Sequence, residues 1–474
     1  MKWLGTVAAL SLTVHARLPD GRPSGNFPRP PSVPLVEADP TPVADLNGQT
    51  LPSLNTTGLN PGLGTFKQRF WHTWEWHEPG GPIILFTPGE TNAERYSVFL
   101  TNKTINGQIA QQEHGATIVL EHHDLEYFAK NVKLVMPGGD SVGPTQAPWV
   151  LIGANYSGAL TSWTMVNDFW QYFEPIRQSM PKNCSSDVQA VISHIDGVFT
   201  FGPKSEITKI KATFGLQNLT RLDDVAGALR NNLWGWQSLT PVTGYAKFFQ
   251  FCDALEVKDG VSATASGWGV DHALSAWGKF WTSGYLADLC AGRDIESCLG
   301  TYDPNNEFFS DISLDNSWRS WEWILQRGWI LPRQPPPGWP SLVTRLAKPI
   351  SDERQCMLFF PEAFKAPPVP AADRVNRLYK GWNVDVDRFF FANGQRDPWR
   401  DATLSADGMH FESTPHQPIA LGNGFHCSDM ASSNGDVDPS IKAVQVQALA
   451  SMYEWLKGFV PATETKRMLR WERE

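Results

Sequence analysis

Trp149-Val150-Leu151-Ile152-Gly153-Ala154-Asn155-Tyr156-Ser157-Gly158 is the stretch whose reading decides the fold. Its apolar start, ending at a glycine, reads as a buried strand, and Ser157 to Trp170 reads as a helix, so strand, sharp turn and helix follow one another directly. This is the setting of a nucleophile elbow, in which a tight turn lifts one side chain above the carboxyl edge of a sheet. The lifted residue here is Asn155. A carboxamide has no acidic proton for a histidine to remove and a poorly nucleophilic oxygen, which disfavours acyl-enzyme formation at this position. The turn itself tolerates the residue, because asparagine is among the non-glycine residues most at ease with positive φ. Ser157 is a poor substitute nucleophile: it falls in the first helical turn, flanked by Asn155 and Ala159 rather than by glycines. Asn155 also opens a sequon, expected to be unoccupied because the turn lies in a cleft.

On the N-terminal side of this segment, Pro82 to Thr87 and Ala116 to Leu120 are short apolar runs bounded by glycine, the form of strands buried on both faces of a parallel sheet. Asp124 to Val132 reads as a helix. On its C-terminal side the character changes between Gly197 and Trp382 to tryptophan-rich helical pieces, broken by Pro332-Arg333-Gln334-Pro335-Pro336-Pro337. A strand returns at Asp387 to Asn393, and the apolar Val444, Val446, Leu449, Met452 and Leu456 mark a closing helix over Ile441 to Phe459. Buried strands alternating with helices predict an α/β fold. The expected division is a signal peptide over 1–16, a proline-rich arm over 17–48, an α/β domain in two parts over 49–196 and 383–474, and a helical cap over 197–382 between them.

The 474 residues are 41% hydrophobic and 19% charged, an ordinary globular balance, and the net charge of -9 comes without an acidic block or a Lys/Arg run. Neither a nucleic-acid footprint nor a polybasic membrane patch is present. Twenty-one tryptophans belong mostly in cores. Met1-Lys2, an apolar run from Trp3 to Val14 and Val14-His15-Ala16 read as a secretory signal, the apolar run being too short to span a bilayer. Residues 17–45 are rich in proline and read as a linker or propeptide-like arm. Secretion makes Cys184, Cys252, Cys290, Cys298, Cys356 and Cys427 candidates for up to three disulfides with connectivity left open, and makes Asn55, Asn102, Asn183 and Asn218 candidate glycosylation sites in surface loops. No metal or organic cofactor is implied: His122 and His123 are adjacent rather than one helical turn apart, and there is no glycine-rich phosphate loop.

Two further segments carry candidate chemistry. Asn393-Gly394-Gln395-Arg396-Asp397-Pro398-Trp399 follows a strand, and Gly424-Phe425-His426-Cys427-Ser428-Asp429 precedes the final helix. An acid and then a histidine, both after the elbow, is the chain order of a hydrolase triad, in which the acid orients the imidazole and the imidazole acts as general base. Spacing alone leaves the plainer reading open, since an aspartate before proline is a common turn former and a single histidine is often structural.

These stretches, with Thr65-Phe66-Lys67-Gln68-Arg69-Phe70, Gly80-Gly81-Pro82-Ile83, Pro88-Gly89-Glu90, Val119-Leu120-Glu121-His122 and Ala129-Lys130-Asn131-Val132, resemble the family of lysosomal Pro-Xaa carboxypeptidase, dipeptidyl peptidase II and the fungal acid prolyl endopeptidases, especially its secreted fungal members. The resemblance covers nearly the whole chain after the arm. It implies an α/β-hydrolase domain with a helical cap inserted before the acid, and cleavage of peptides after proline. Asp397 and His426 fall on the family's acid and base, Tyr156 on an oxyanion-hole donor, and Gly89, Glu90 and Trp399 on the substrate cleft. Asn155 falls where the family has serine.

Two abrupt junctions depart from the family, at Glu121-His122 running into Asp124 and at Val166 running into Asn167, and Gln326 stands where relatives carry a cysteine. They imply that a strand of the sheet is absent, or that coding segments are missing. The expected function is a secreted serine-type peptidase relative, alternatively vacuolar-lysosomal, whose substituted nucleophile leaves a pseudoenzyme that binds proline-containing peptides. An active prolyl peptidase and a non-enzymatic secreted binding protein are the competing readings.

Overall fold

The computed structural model describes residues 33–36, 49–52, 67–121, 125–155, 157–158, 170–328, 338–368, 376–377 and 380–461. The signal segment, most of the arm, Asn55, His122, His123, Tyr156, the proline cluster and most of the helix expected after Ser157 lie outside them.

The chain is α/β, with a small mixed sheet and a large helical region. Strands β1 (Gln49–Pro52), β2 (Lys67–Thr73), β3 (Ile83–Thr87), β4 (Ala116–Leu120) and β5 (Trp149–Gly153) form one sheet in the order β1-β2-β4-β3-β5. β3, β4 and β5 run parallel, whereas β2 is antiparallel to both of its neighbours. The parallel character expected of the apolar runs therefore holds for β3, β4 and β5 and not for the whole sheet.

Alternation along β3 divides the core. Ile83 and Leu85 point to one face, where they meet Ile118, Leu120 and Phe128, the last from helix α2 (Leu125–Asn131); helix α1 (Ile105–Glu113) lies on the other face with Ile84 and Phe86. Burial on both faces explains why these runs are continuously apolar, and each such side chain withdrawn from water contributes about 1.5–3 kcal/mol. Val33 of the arm is also buried in this second cluster, its carbonyl accepting a hydrogen bond from Tyr96 at 3.1 Å.

The helical region contains α3 (Lys182–Phe201), α4 (Lys247–Glu256) and α5 (Val270–Phe280), packed around Phe214, Trp277 and Trp281. The boundary expected at 196/197 falls inside α3, whose Val188, Val191, Ile192 and Ile195 run through that core without interruption. Cys184–Cys252 ties α3 to α4, and Cys290–Cys298 closes a short loop. Two of the up to three disulfides form: Cys427 packs against the sheet core while Cys356 lies in the helical region, and neither is disulfide-bonded. Asn102 and Asn218 sit in exposed turns, but Asn183 is half-buried in the first turn of α3, donating to the carbonyl of Ala263 at 3.3 Å, so it departs from the expected surface loop.

After the helical region, β8 (Phe391–Gly394) and β9 (Ile419–Gly422) form a separate parallel pair, and α6 (Pro439–Leu456) follows; β6 (Val257–Lys258) and β7 (Val261–Ser262) are a small hairpin elsewhere. α6 begins earlier than its apolar pattern indicates, because Pro439 suits a first helical turn and Asp438 accepts from the backbone N–H groups of Ser440 and Ile441. Among the described residues, β5 pairs only with β3, and β8 only with β9. β5 is thus an edge with Leu151 41% exposed, not the buried strand that its sequence predicts. No helix among the described residues is long and apolar enough to cross a membrane.

Candidate active site

The site forms where the carboxyl ends of β5, β8 and β9 converge. Asn155 follows β5 with φ of 62°, the left-handed conformation anticipated for the turn. Gly153 makes that turn feasible: a β-carbon there would lie 2.2 Å from the carbonyl oxygen of Ser157. Ser157 is buried at the start of the following helix, and it is Gly158 that faces the neighbouring cavity.

The loops after β8 and β9 are stitched together by their backbones. Gln395 N–H donates to Gly422 at 2.8 Å and Arg396 N–H to Gly424 at 2.9 Å. Gly394 permits the close approach, since a β-carbon would lie 2.5 Å from the carbonyl oxygens of Gly424 and Phe425. This register brings together two residues 29 apart in sequence: His426 Nδ1 lies 3.0 and 2.9 Å from the two carboxylate oxygens of Asp397. Both side chains are buried, and Asp397 also accepts the backbone N–H of Trp399 at 2.9 Å. Burial, the largest influence, lowers the pKa of His426, but the Asp397 carboxylate and the adjacent Cys427 together outweigh it and hold the imidazole well above its ordinary value. The second ring nitrogen, Nε2, has no hydrogen-bond partner among the described residues.

Asn155 does not bond to that nitrogen. Its Nδ2 donates instead to both oxygens of Glu90, at 3.3 and 3.2 Å. Glu90 is 6% exposed, and burial pushes its pKa up to about 8 against the opposing pull of the Asn155 amide and of His426. Asp429, beside the same histidine, is pushed up to about 6, again chiefly by burial, and burial raises the Cys427 thiol.

A cavity of about 660 Å³ opens from Asn155, Asp397 and His426 and extends between the edge of β5 and that of β8, lined by Leu151, Phe391 and, from α6, Met452. Of the three residues expected to form the cleft, Trp399 lines this cavity, whereas Gly89 and Glu90 do not; they are buried, with Glu90 held against Asn155. Trp399 is itself buried, its indole N–H donating to Gln237 at 3.1 Å and its ring meeting Tyr172 and Trp321 edge-on. Tyr156 lies outside the described residues. Among those residues no group of three or more histidines, cysteines and carboxylates is placed to hold a metal ion.

Sequence reasoning missed the pairing of Glu90 with Asn155. Pro88-Gly89-Glu90 sits at the carboxyl end of β3, next to β5 in the sheet, and that adjacency was the available signal. It also missed Asp429, which faces the cavity three residues beyond its own motif histidine.

Comparison with known proteins adds to this geometry. The chain is 32% identical to "Serine protease vicPa" of Bipolaris victoriae, over 84% of its own length and 87% of the relative's. It is 30% identical to "Serine protease vicPb" of the same organism, over 86% and 89%. A "Probable extracellular serine carboxypeptidase" of Arthroderma benhamiae is 26% identical, over 83% of this chain and 64% of that one. No family model matches the chain. At the identity and coverage of the first two, the chain belongs to the serine protease family of these relatives, one of which is named a serine carboxypeptidase.

Proposed function

We propose that this protein is a secreted member of that family in which Asn155 occupies the nucleophile position of an α/β-hydrolase domain, with the helical region as its cap. In this reading Asp397 and His426 are the acid and base of the triad, and the site binds proline-containing peptides with little turnover. The observation that carries it is the buried Asp397–His426 pair at one cavity with a left-handed Asn155, the ring nitrogen opposite Asp397 unbonded to position 155. Base and orienting acid are retained, and the ionisable oxygen they serve is missing. Secretion is supported by the extracellular description of the Arthroderma relative, and peptide substrates by the protease names of all three.

The test is product release from proline-containing fluorogenic peptides, at acidic and neutral pH, by the protein and by Asn155→Ser. Cleavage by the variant alone is expected. Efficient cleavage by the unmodified protein would overturn the assignment of Asn155, and a folded variant that cleaves nothing would overturn the retained site.

The separation of β5 from β8 favours a second reading, an active serine-type prolyl peptidase whose complete chain carries a further strand there. It predicts labelling of the protein by a serine-directed phosphonate; a folded protein that takes up no label rules it out.

A further inference from the structure

Two strand edges border the cavity from opposite sides. Ile83 N–H donates to the carbonyl of Pro148 at 2.9 Å, so alternation along β5 turns the backbone groups of Val150 and Ile152 toward β3 and those of Trp149 and Leu151 away from it. Phe389 and Phe391 donate to the carbonyls of His416 and Pro418 at 3.2 and 2.9 Å, which leaves the backbone groups of Phe390 and Ala392 on the side of β8 away from β9. All four of these residues line the cavity, and their outward groups have no backbone partner among the described residues. We propose that this part of the cavity receives an extended peptide segment of another molecule, apolar and free of proline, which pairs as an added strand with β5 and β8. The proposal goes beyond the peptidase reading and needs no chemistry at Asn155.

Hydrogen bonding selects the class of ligand. A hydrocarbon-like ligand here would shut water away from two rows of peptide groups and offer them nothing in return. An extended peptide presents a donor and an acceptor to each edge at every second residue, which is the way strands add to exposed sheet edges. Proline is excluded from the paired stretch because its ring replaces an N–H and a ladder lies on both sides. The proline-rich residues 17–45 of this chain are therefore poorly suited to the role.

Length and side-chain pattern follow from the walls. β5 has five residues and β8 four, so the paired stretch is about five residues, roughly 16 Å at about 3.3 Å per residue. Ile109 of α1 and Val444, Ala448 and Met452 of α6 line the same cavity, so every second side chain of the segment meets an apolar wall. The half-exposed Leu151 marks β5 as an edge with apolar surface still to cover.

The experiment titrates the full chain with an acetylated, amidated hexapeptide of alternating valine and threonine, read by the fluorescence of Trp149 and Trp455, both of which line the cavity. Saturable one-to-one binding is expected. N-methylation of alternate peptide nitrogens, or proline at the centre, should weaken binding about tenfold or more. Leu151→Pro and Ala392→Pro each remove an N–H directed at the cavity without touching the ladders to β3 and β9, and each should weaken binding about tenfold. Ala448→Trp, which fills the space from α6, should abolish binding. Melting temperatures check that the variants fold. Residue-resolved hydrogen exchange should show the amides of Leu151 and Ala392 exchanging rapidly in the protein alone and protected once the hexapeptide is bound.

Equal binding of the N-methylated peptide would overturn the proposal, because it marks apolar adsorption without strand pairing. So would an absence of binding, or unchanged binding in folded Ala448→Trp, which would place the peptide elsewhere. Slow exchange at Leu151 and Ala392 in the protein alone would also overturn it, by showing that this chain or a second copy already covers both edges. The two readings fail separately: strand binding alongside an inert Asn155→Ser variant removes the peptidase reading alone, and an active variant that does not bind the hexapeptide removes the added strand alone.

Discussion

Trp236 donates its indole N–H to the carbonyl oxygen of Arg396 at 2.8 Å, tying the helical region to the residue that immediately precedes Asp397. The same ring packs edge-on against Phe425, which immediately precedes His426, with centroids 5.1 Å apart. One buried tryptophan thus braces both loops of the Asp397–His426 pair.

Trp236→Phe keeps most of the bulk and removes the hydrogen bond, which is worth about 0.5–1.5 kcal/mol. In the Asn155→Ser background we expect kcat to fall about tenfold, corresponding to roughly 1.4 kcal/mol of lost transition-state stabilisation, with KM nearly unchanged. Steady-state kinetics on a proline-containing peptide measures the split; an equal fall in binding would assign Trp236 to the substrate instead.

In the proposed triad Asp397 orients the histidine without touching the reacting carbonyl. Asp397→Asn in the Asn155→Ser background should therefore lower kcat by about 10⁴, because the amide stabilises the wrong tautomer and cannot support the imidazolium. Near-full activity of the double variant would show that His426 works without its partner.

Glu256 links pH to stability. It is 2% exposed beside the buried Asp187, whose carboxylate is held by the backbone N–H groups of Trp268 and Gly269 at 2.8 and 2.9 Å. Burial first, then the Asp187 charge, raises the pKa of Glu256 from 4.5 to about 8. A folded-state value above the unfolded one means that the stabilisation is complete below about 4.5 and is lost as pH rises through about 8. Glu90 adds to the same trend with the same sign. Melting temperature should drop between buffers on either side of pH 8, and Glu256→Gln should flatten part of that drop.

Arg230 and Asp352 form a bidentate pair at 3.0 and 2.9 Å, with side chains 4% and 5% exposed. Asp352→Ala should cost about 3–5 kcal/mol, because it leaves a buried guanidinium without its counter-charge. Denaturant unfolding checks this, and a loss below about 1 kcal/mol would mean that water reaches the vacated site.

Much was legible in the sequence because it is encoded locally. The apolar runs Ile83–Thr87 and Ala116–Leu120 are strands because residues buried on both faces must all be apolar, and Gly153 marks the elbow because no side chain fits against Ser157. The left-handed turn at Asn155 and the chain order of Asp397 and His426 follow from the same kind of local pattern. Strand partners are a different matter. The antiparallel placement of β2 and the separation of β5 from β8 depend on which edges meet across long stretches of chain, and nothing in a strand's own residues records its neighbour. Glu90 carries the same lesson at the site: as a sequence position it is a carboxylate in a loop, and only β3 lying beside β5 makes it the partner of Asn155. Residue identity by itself determined that the turn after β5 carries an asparagine and not a serine. Tertiary structure decided what the asparagine bonds to instead, because hydrogen bonds and desolvation are set by what surrounds a group in space.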